Sequence, residues 1–246
     1  MKKYIRLTFI AILIALLTAC NLNIFSKPID PATLNHISTI VMNANVKINT
    51  STYRIDFFHK IIGPYKAYGS GVIYKEVVDK ENIYYYVLTN AHVIHLDDNY
   101  NHEYLIEDVY GNEINAELVT FSMDYDLAVL KFKATENLYV IELARENPKV
   151  GETVFSVGSP SGRLNIITAG HILKYSKINR VNYEIIIHDA IIYNGSSGGM
   201  LINQNYKLVG INTWGFSNKN DLEDDYVNGG ATPIEKILEF LSSVTY

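Results

Sequence analysis

Three short segments of the 246-residue chain hold side chains that could do acyl-transfer chemistry together. Thr89-Asn90-Ala91-His92 ends an apolar run with a histidine in a corner of small residues. Asp126 stands directly before the apolar stretch Leu127-Ala128-Val129-Leu130. Asn194-Gly195-Ser196-Ser197-Gly198-Gly199 sets a serine among glycines. A serine hydroxyl attacks a carbonyl when a base takes its proton, an acid orients that base, and backbone N–H groups hold the developing oxyanion. Each part is available here, in the chain order His92, Asp126, Ser197. Ser196 competes with Ser197, but Ser197 has the Gly-Gly pair directly after it and a glycine two before. His36, His59, His95, His102, His171 and His188 read as surface or satisfied core residues. His92 and His95 have a spacing that could suit a metal, yet no third ligand of suitable spacing accompanies them, so no metal is assigned.

The elements that would have to position these groups are mostly strands. Val72–Tyr74, Tyr84–Thr89, Tyr104–Val109, Leu127–Phe132, Thr153–Val157, Ile185–Ile187 and Lys207–Asn212 are short apolar or alternating runs, broken by Gly, Asn and Asp. Many short strands with frequent turn signals indicate an all-β sandwich or barrel. A helix-compatible stretch precedes them, from Pro31-Ala32-Thr33 to about Asn45, with Leu34, Ile37, Ile40 and Val41 at helical spacing. A second closes the chain at 233–243, with Pro233 in the first turn and Ile234, Ile237, Leu238 and Leu241 on one face. No internal repeat is visible, and the pattern predicts one compact unit of two halves. The cluster Tyr84-Tyr85-Tyr86 reads as a strand covered on both faces. Asp221 to Asp225 reads as a solvated acidic loop, with a weak calcium contact as its alternative.

Composition narrows the partners. With 21 basic and 26 acidic side chains the formal charge is −5, which argues against nucleic acid, since phosphate binding needs a basic surface. Hydrophobic residues at 48% supply a core, and charged residues at 19% are too few for a disordered chain. The single cysteine, Cys20, excludes an internal disulfide framework. It follows Lys2, Lys3 and Arg6 and the uncharged run Leu7 to Ala19, which is short for a membrane span but suits a signal-peptide core. Leu17-Thr18-Ala19-Cys20 resembles a bacterial lipobox. That implies a lipoprotein signal peptide at 1–19, lipidation of Cys20, a polar tether at 20–31 and a folded domain at 32–246. Loss of 1–19 would take the formal charge to −8. An ordinary secretory signal and an uncleaved anchor are the competing readings. The location predicted is extracytoplasmic, on a bacterial membrane.

Thr89-Asn90-Ala91-His92, Asp126-Leu127-Ala128-Val129-Leu130-Lys131 and Gly195-Ser196-Ser197-Gly198-Gly199 resemble the trypsin-like serine proteases, in particular the bacterial Deg/HtrA branch. Gly69-Ser70-Gly71, Val157-Gly158-Ser159-Pro160, Thr168-Ala169-Gly170, Gly210-Ile211-Asn212-Thr213 and Ala231-Thr232-Pro233-Ile234 extend the resemblance over roughly 35–245. It implies two perpendicular six-stranded β-barrels, one at about 46–135 and one at about 150–232, with the site in the cleft between them. It selects Asp126 over Asp124, and implies Ser197 as nucleophile, His92 as base, Asp126 as its orienting acid and the amides of Gly195 and Ser197 as the oxyanion hole. No cofactor is implied, and the partner would be a protein or peptide substrate.

By the same resemblance, Ile191 and Ile192 lie at the primary pocket, and Thr213, Trp214 and Gly215 pair with the substrate backbone. Ile191 stands six before Ser197, where an acidic residue would favour Arg or Lys. A small or medium apolar residue before the scissile bond is therefore expected. Ser196 occupies the place of the aspartate that digestive trypsins pair with a new N-terminus, so activation by that ion pair is not expected. The 49 residues after Ser197 are taken up by strands and a helix, which predicts no PDZ module. The competing functions are a catalytically silent binding or chaperone-like module and a narrow-specificity secreted virulence protease.

Overall fold

Alternate burial is what makes the middle of the chain into strands. Along Asn45–Ile55 the inward positions Val46, Ile48, Thr50 and Thr52 are buried while Lys47, Asn49, Ser51 and Tyr53 are half-exposed, the period of a strand with one face on a core. The computed structural model describes residues 29–95, 97–134, 136–160, 165–216 and 228–246. β1 (Asn45–Ile55), β2 (Ile61–Asp79), β3 (Asn82–Thr89), β4 (Asn101–Glu107), β5 (Glu113–Ser122) and β6 (Leu127–Ala134) close into one barrel, in the order β1-β2-β3-β6-β5-β4. β7 (Thr153–Gly158), β8 (Ile166–Lys177), β9 (Glu184–His188), β10 (Met200–Asn203), β11 (Leu208–Phe216) and β12 (Asn228–Pro233) close into the second, in the order β10-β11-β12-β9-β8-β7. All neighbouring strands are antiparallel. Register shifts within β1, β2, β5, β8 and β11 bend the strands, as barrel closure requires. The all-β, two-barrel fold expected from the sequence is the one observed.

Among the described residues three α-helices flank the barrels. α1 (Pro31–Thr39) starts on Asp30, whose carboxylate accepts from the Thr33 N–H at 2.9 Å, with Pro31 at the first turn; such a cap satisfies a donor that the helix itself leaves unpaired. The helix stops at Thr39 instead of running to Asn45. Val41–Ala44 form a 3-10 turn, and Asn45 already belongs to β1. The alternation beginning at Val46 outcompetes the helical spacing. α2 is the single turn Ala91–Ile94, and α3 spans Ile234–Ser242. α3 buries Ile234, Ile237 and Phe240, with Leu238 and Leu241 only partly covered, so its buried stripe is rotated toward Phe240. Pro233 lies outside the helix as its N-cap. Residues 1–28, with the signal-peptide, Cys20 and tether readings, and the acidic run 221–225 lie outside the described residues.

One hydrophobic cluster runs through both barrels and takes in Ile37, Val41 and Phe240. A separate small one gathers Tyr183, Ile185, Ile187 and Trp214, with Tyr125, Ile178, Val181 and Phe216 against it. Among the buried polar residues of barrel two, which include Ser156, Asn212 and Thr232, His188 is fully buried. Its Nε2 lies 3.2 Å from Asn212 Oδ1. Asn212 Nδ2 donates to Ser156 Oγ at 2.9 Å and to the Met200 carbonyl at 3.0 Å. Burial pushes the His188 imidazole down from its ordinary 6.5 to about 4, so the ring is neutral and Nε2–H is the donor. The unfolded chain therefore binds a proton that the folded chain refuses between pH 6.5 and 4, and stability falls as pH drops through that window. At roughly 1.4 kcal/mol per pH unit of difference, the loss should reach about 3 kcal/mol. Urea unfolding of wild type and His188→Gln at pH 7 and pH 4.5 checks this: the wild type should lose clearly more stability on acidification than the variant, and parallel losses would exclude His188 as the source.

Candidate active site

The site starts from a local conflict at the β3–α2 corner. Thr89 ends β3, and Asn90 caps a helix of only four residues that carries His92. Two polar side chains hold the corner: Thr50 Oγ1 donates to the Val93 carbonyl at 2.9 Å, and Asn90 Nδ2 donates to the Asp126 carbonyl at 2.8 Å and to Thr213 Oγ1 at 3.0 Å. Asp126 lies at φ 49°, a left-handed backbone that Asp tolerates better than most residues. That turn aims its carboxylate back at α2. Oδ1 accepts from the His92 N–H at 3.0 Å and Oδ2 lies 2.7 Å from His92 Nδ1. An ionised carboxylate only accepts, so Nδ1 carries the proton and Nε2 presents its lone pair. Asp126 is nearly buried while Asp124 is exposed. His95 turns away from this pair, stacking on His102 and Phe121 beside Asp98. Among the described residues no group of three or more His, Cys, Asp or Glu could hold a metal.

Ser197 sits on a loop of barrel two that barrel one grips. Ser70, in β2, donates its backbone N–H to the Ser197 carbonyl at 2.8 Å. Its Oγ donates to the Gly195 carbonyl at 2.9 Å and accepts from the Ser159 N–H at 2.7 Å. Thr89 Oγ1 donates to the Ser70 carbonyl at 2.7 Å. A side chain on Gly198, which has φ 85°, would collide with the Ser70 carbonyl and the Thr89 hydroxyl, so glycine is required for the two barrels to come this close. Tyr193–Ser196 form a turn closed by the Ser196 N–H to the Tyr193 carbonyl at 2.9 Å, with Gly195 at φ 95° and Asn194 on the negative side. Positive φ at the third residue alone defines a type II turn, which sets which way the Asn194–Gly195 peptide points. Ser196 is buried, and its Oγ accepts from the Tyr193 N–H at 3.2 Å. An uncharged serine thus holds this turn from within.

Ser197 Oγ donates to the Thr213 carbonyl at 3.4 Å; among the described residues it makes no hydrogen bond to His92. Thr213 links the two halves, since its Oγ1 also accepts from Asn90. Two cavities border His92. One, of about 260 Å³, is lined by Met123 and Asp126 from barrel one and by Arg180, Val181, Thr213 and Trp214 from barrel two. The other, of about 110 Å³, lies on the β1–β2 side, with Tyr65, Lys66 and His95 in its wall. Ile192 is buried, and the Ile191 carbonyl accepts from Thr168 Oγ1 at 2.7 Å; neither residue lines these two cavities. Gly215 pairs with Gly229. β10 pairs with β11 only as far as Ile211, so the other edge of Trp214–Phe216 has no strand partner among the described residues, and an extended peptide could add there.

The buried acid and the oriented histidine thus share a cavity with Thr213, whose carbonyl holds the glycine-bound serine. A family model described as the trypsin-like peptidase domain matches residues 69–211. The chain belongs to the trypsin-like peptidase family. This peptidase domain is 38% identical over 157 residues to a probable periplasmic serine endoprotease, DegP-like, of Buchnera aphidicola, covering 61% of this chain and 31% of that protein. Against serine endoprotease DegS of Escherichia coli K12 it is 35% identical over 176 residues, covering 69% and 46%. Among solved structures, the HtrA-type protease AlgW with a tripeptide superposes at a TM-score of 0.67 with 28% identity, over 87% of this chain and 63% of that one. The chain thus spans between about a third and a half of the length of these curated relatives.

Gly69-Ser70-Gly71 stands out in the sequence, but the role of Ser70 does not, and neither do those of Asn90 and the Thr213 side chain. The signal for Ser70 was a polar residue between two glycines in a strand, a place where another backbone can approach closely. Ser70→Ala leaves the Gly195 carbonyl and the Ser159 N–H without their shared partner. It should lower stability by about 1–3 kcal/mol in urea unfolding, and a loss below about 0.5 kcal/mol would show that the two barrels do not depend on this hydroxyl.

Proposed function

We propose that the chain is an extracytoplasmic serine endopeptidase that hydrolyses extended or unfolded protein segments. The observation that carries the reading is the His92–Asp126 pair at 2.7 Å, which lines one cavity with Thr213, the residue whose carbonyl accepts from Ser197 Oγ. In the proposed reaction Ser197 Oγ swings from the Thr213 carbonyl toward His92 and attacks the scissile carbonyl, while Nε2 takes the proton. The carbonyl π bond opens to an oxyanion held by the Gly195 and Ser197 amides. The C–N bond then breaks as Nε2 returns the proton to the leaving amine, and water releases the acyl group by the same steps. Asp126 keeps the imidazole in the required tautomer and stabilises the imidazolium. Ser197 Oγ makes its hydrogen bond to the Thr213 carbonyl instead of to His92, and catalytic contacts of this kind tighten only when substrate binds.

The primary pocket is assigned to the Ile191–Ile192 side, with an apolar residue before the cleaved bond. Cys20 is assigned as the lipidated residue that keeps the enzyme on the outer or periplasmic face of a membrane. The periplasmic relative from Buchnera is consistent with that location. A silent binding module is the second reading, favoured by the Ser197–Thr213 hydrogen bond in place of one to His92.

A fluorophosphonate probe decides between them. The folded protein should be labelled, Ser197→Ala should not, and Asp126→Asn should hydrolyse peptides about 10⁴-fold more slowly. Peptides with Val before the scissile bond should be cut in preference to those with Arg or Glu. A folded wild type that takes no label supports the silent module. For the anchor, cells supplied with labelled palmitate should yield labelled protein in the membrane fraction. Cys20→Ser should abolish the label and release the protein, and a variant that stays labelled would exclude Cys20.

A further inference from the structure

The 260 Å³ cavity beside His92 has one cation in its wall, and nothing in the catalytic reading uses it. Arg180 stands on the β8–β9 turn, exposed, with no acidic partner among the described residues. Asp126 is the only acidic residue lining the same space among the described residues, and both its oxygens are engaged by His92. It is therefore poorly placed to serve Arg180 as well. The turn itself is firmly held. Ile178 and Val181 pack on the small cluster of Tyr183, Ile185, Ile187 and Trp214, and Tyr183 Oη donates to the Tyr125 carbonyl at 2.8 Å. A guanidinium on such a base is presented to the cleft by structure that the cleft needs anyway.

We infer that Arg180 selects a side-chain carboxylate on the substrate residue immediately before the one that supplies the scissile carbonyl. The inference rests on the endopeptidase reading above. A peptide added along the open edge of Trp214–Phe216 is extended, and its successive side chains point to opposite sides. If the residue supplying the scissile carbonyl turns toward Ile191 and Ile192, the one before it turns toward His92 and enters the cavity that Arg180 borders. Trp214 and Met123 give this cavity apolar walls, which suit the methylene stem of Glu, and the planar guanidinium fork suits its carboxylate. In a chain of net charge −5, one local cation is the feature that would keep an acidic segment from being repelled at the cleft.

The test uses peptides with Val at the cleaved position and Glu, Gln or Lys before it, run alongside fluorophosphonate labelling of the wild type. Wild type should prefer Glu over Gln by roughly fivefold in kcat/KM at low salt, with the preference shrinking as salt screens it. Arg180→Gln should bring the ratio to one, and Arg180→Glu should turn the preference toward Lys. A wild-type ratio of one, or a preference that survives in Arg180→Gln, overturns the inference while labelled Ser197 keeps the endopeptidase reading intact. Absence of both labelling and cleavage overturns the two together.

Discussion

A backbone cannot approach another within hydrogen-bonding distance where side chains intervene, and the site depends on one place where that obstacle has been removed. β2 passes the loop that carries Ser197 at Ser70, between Gly69 and Gly71, and Gly198 faces it from the other side. Ser70 gives its N–H, its hydroxyl and its carbonyl to bonds that involve Ser197, Gly195, Ser159 and Thr89. Because the hydroxyl grips the carbonyl of Gly195, the same contact that joins the barrels also fixes the Tyr193–Ser196 turn that leads into Ser197. Position and chemistry are here one constraint, and buried hydrogen bonds of this kind are costly to leave unmade.

The rest of the cleft shows how polar groups are kept in a largely apolar fold. Asn90, Thr213 and Thr232 are buried together, and each finds a partner. Asn212 ties β11 to β7 and β10 through Ser156 and Met200, and its backbone pairs with Gly198 and Gly199. None of these groups carries a formal charge. Asp126 and His92, the acid and imidazole beside them, open to solvent on the histidine side.

The local signals for His92, Asp126 and Ser197 were legible because each lies in a short run of distinctive residues next to an apolar strand. Other elements were hidden for physical reasons. β1 reads Asn-Val-Lys-Ile-Asn-Thr-Ser-Thr, and its inward threonines look like surface until Thr50 is seen bonding the turn that bears His92. β5 is largely exposed or half-exposed, so its apolar pattern is weak. β12, Asn-Gly-Gly-Ala-Thr-Pro, reads as a turn. It is a strand whose glycines are demanded by tertiary neighbours: a side chain at Gly229 would strike the His188 ring, and one at Gly230 the Phe216 ring. Contacts between residues far apart in the chain, such as those of Ser70, leave no periodicity to read.

The bond from Ser70 to Gly195 joins residues 125 apart in sequence. A chain that folds as it emerges from its N-terminus can form barrel one, with His92 and Asp126 already paired, long before the serine exists to be activated. The loop of Ser197 in turn acquires its set only when β11 arrives to pair with Gly198 and Gly199. Topology therefore acts as a timer: the His92–Asp126 pair of barrel one can stand ready while the loop that Ser70 will grip is still to be made.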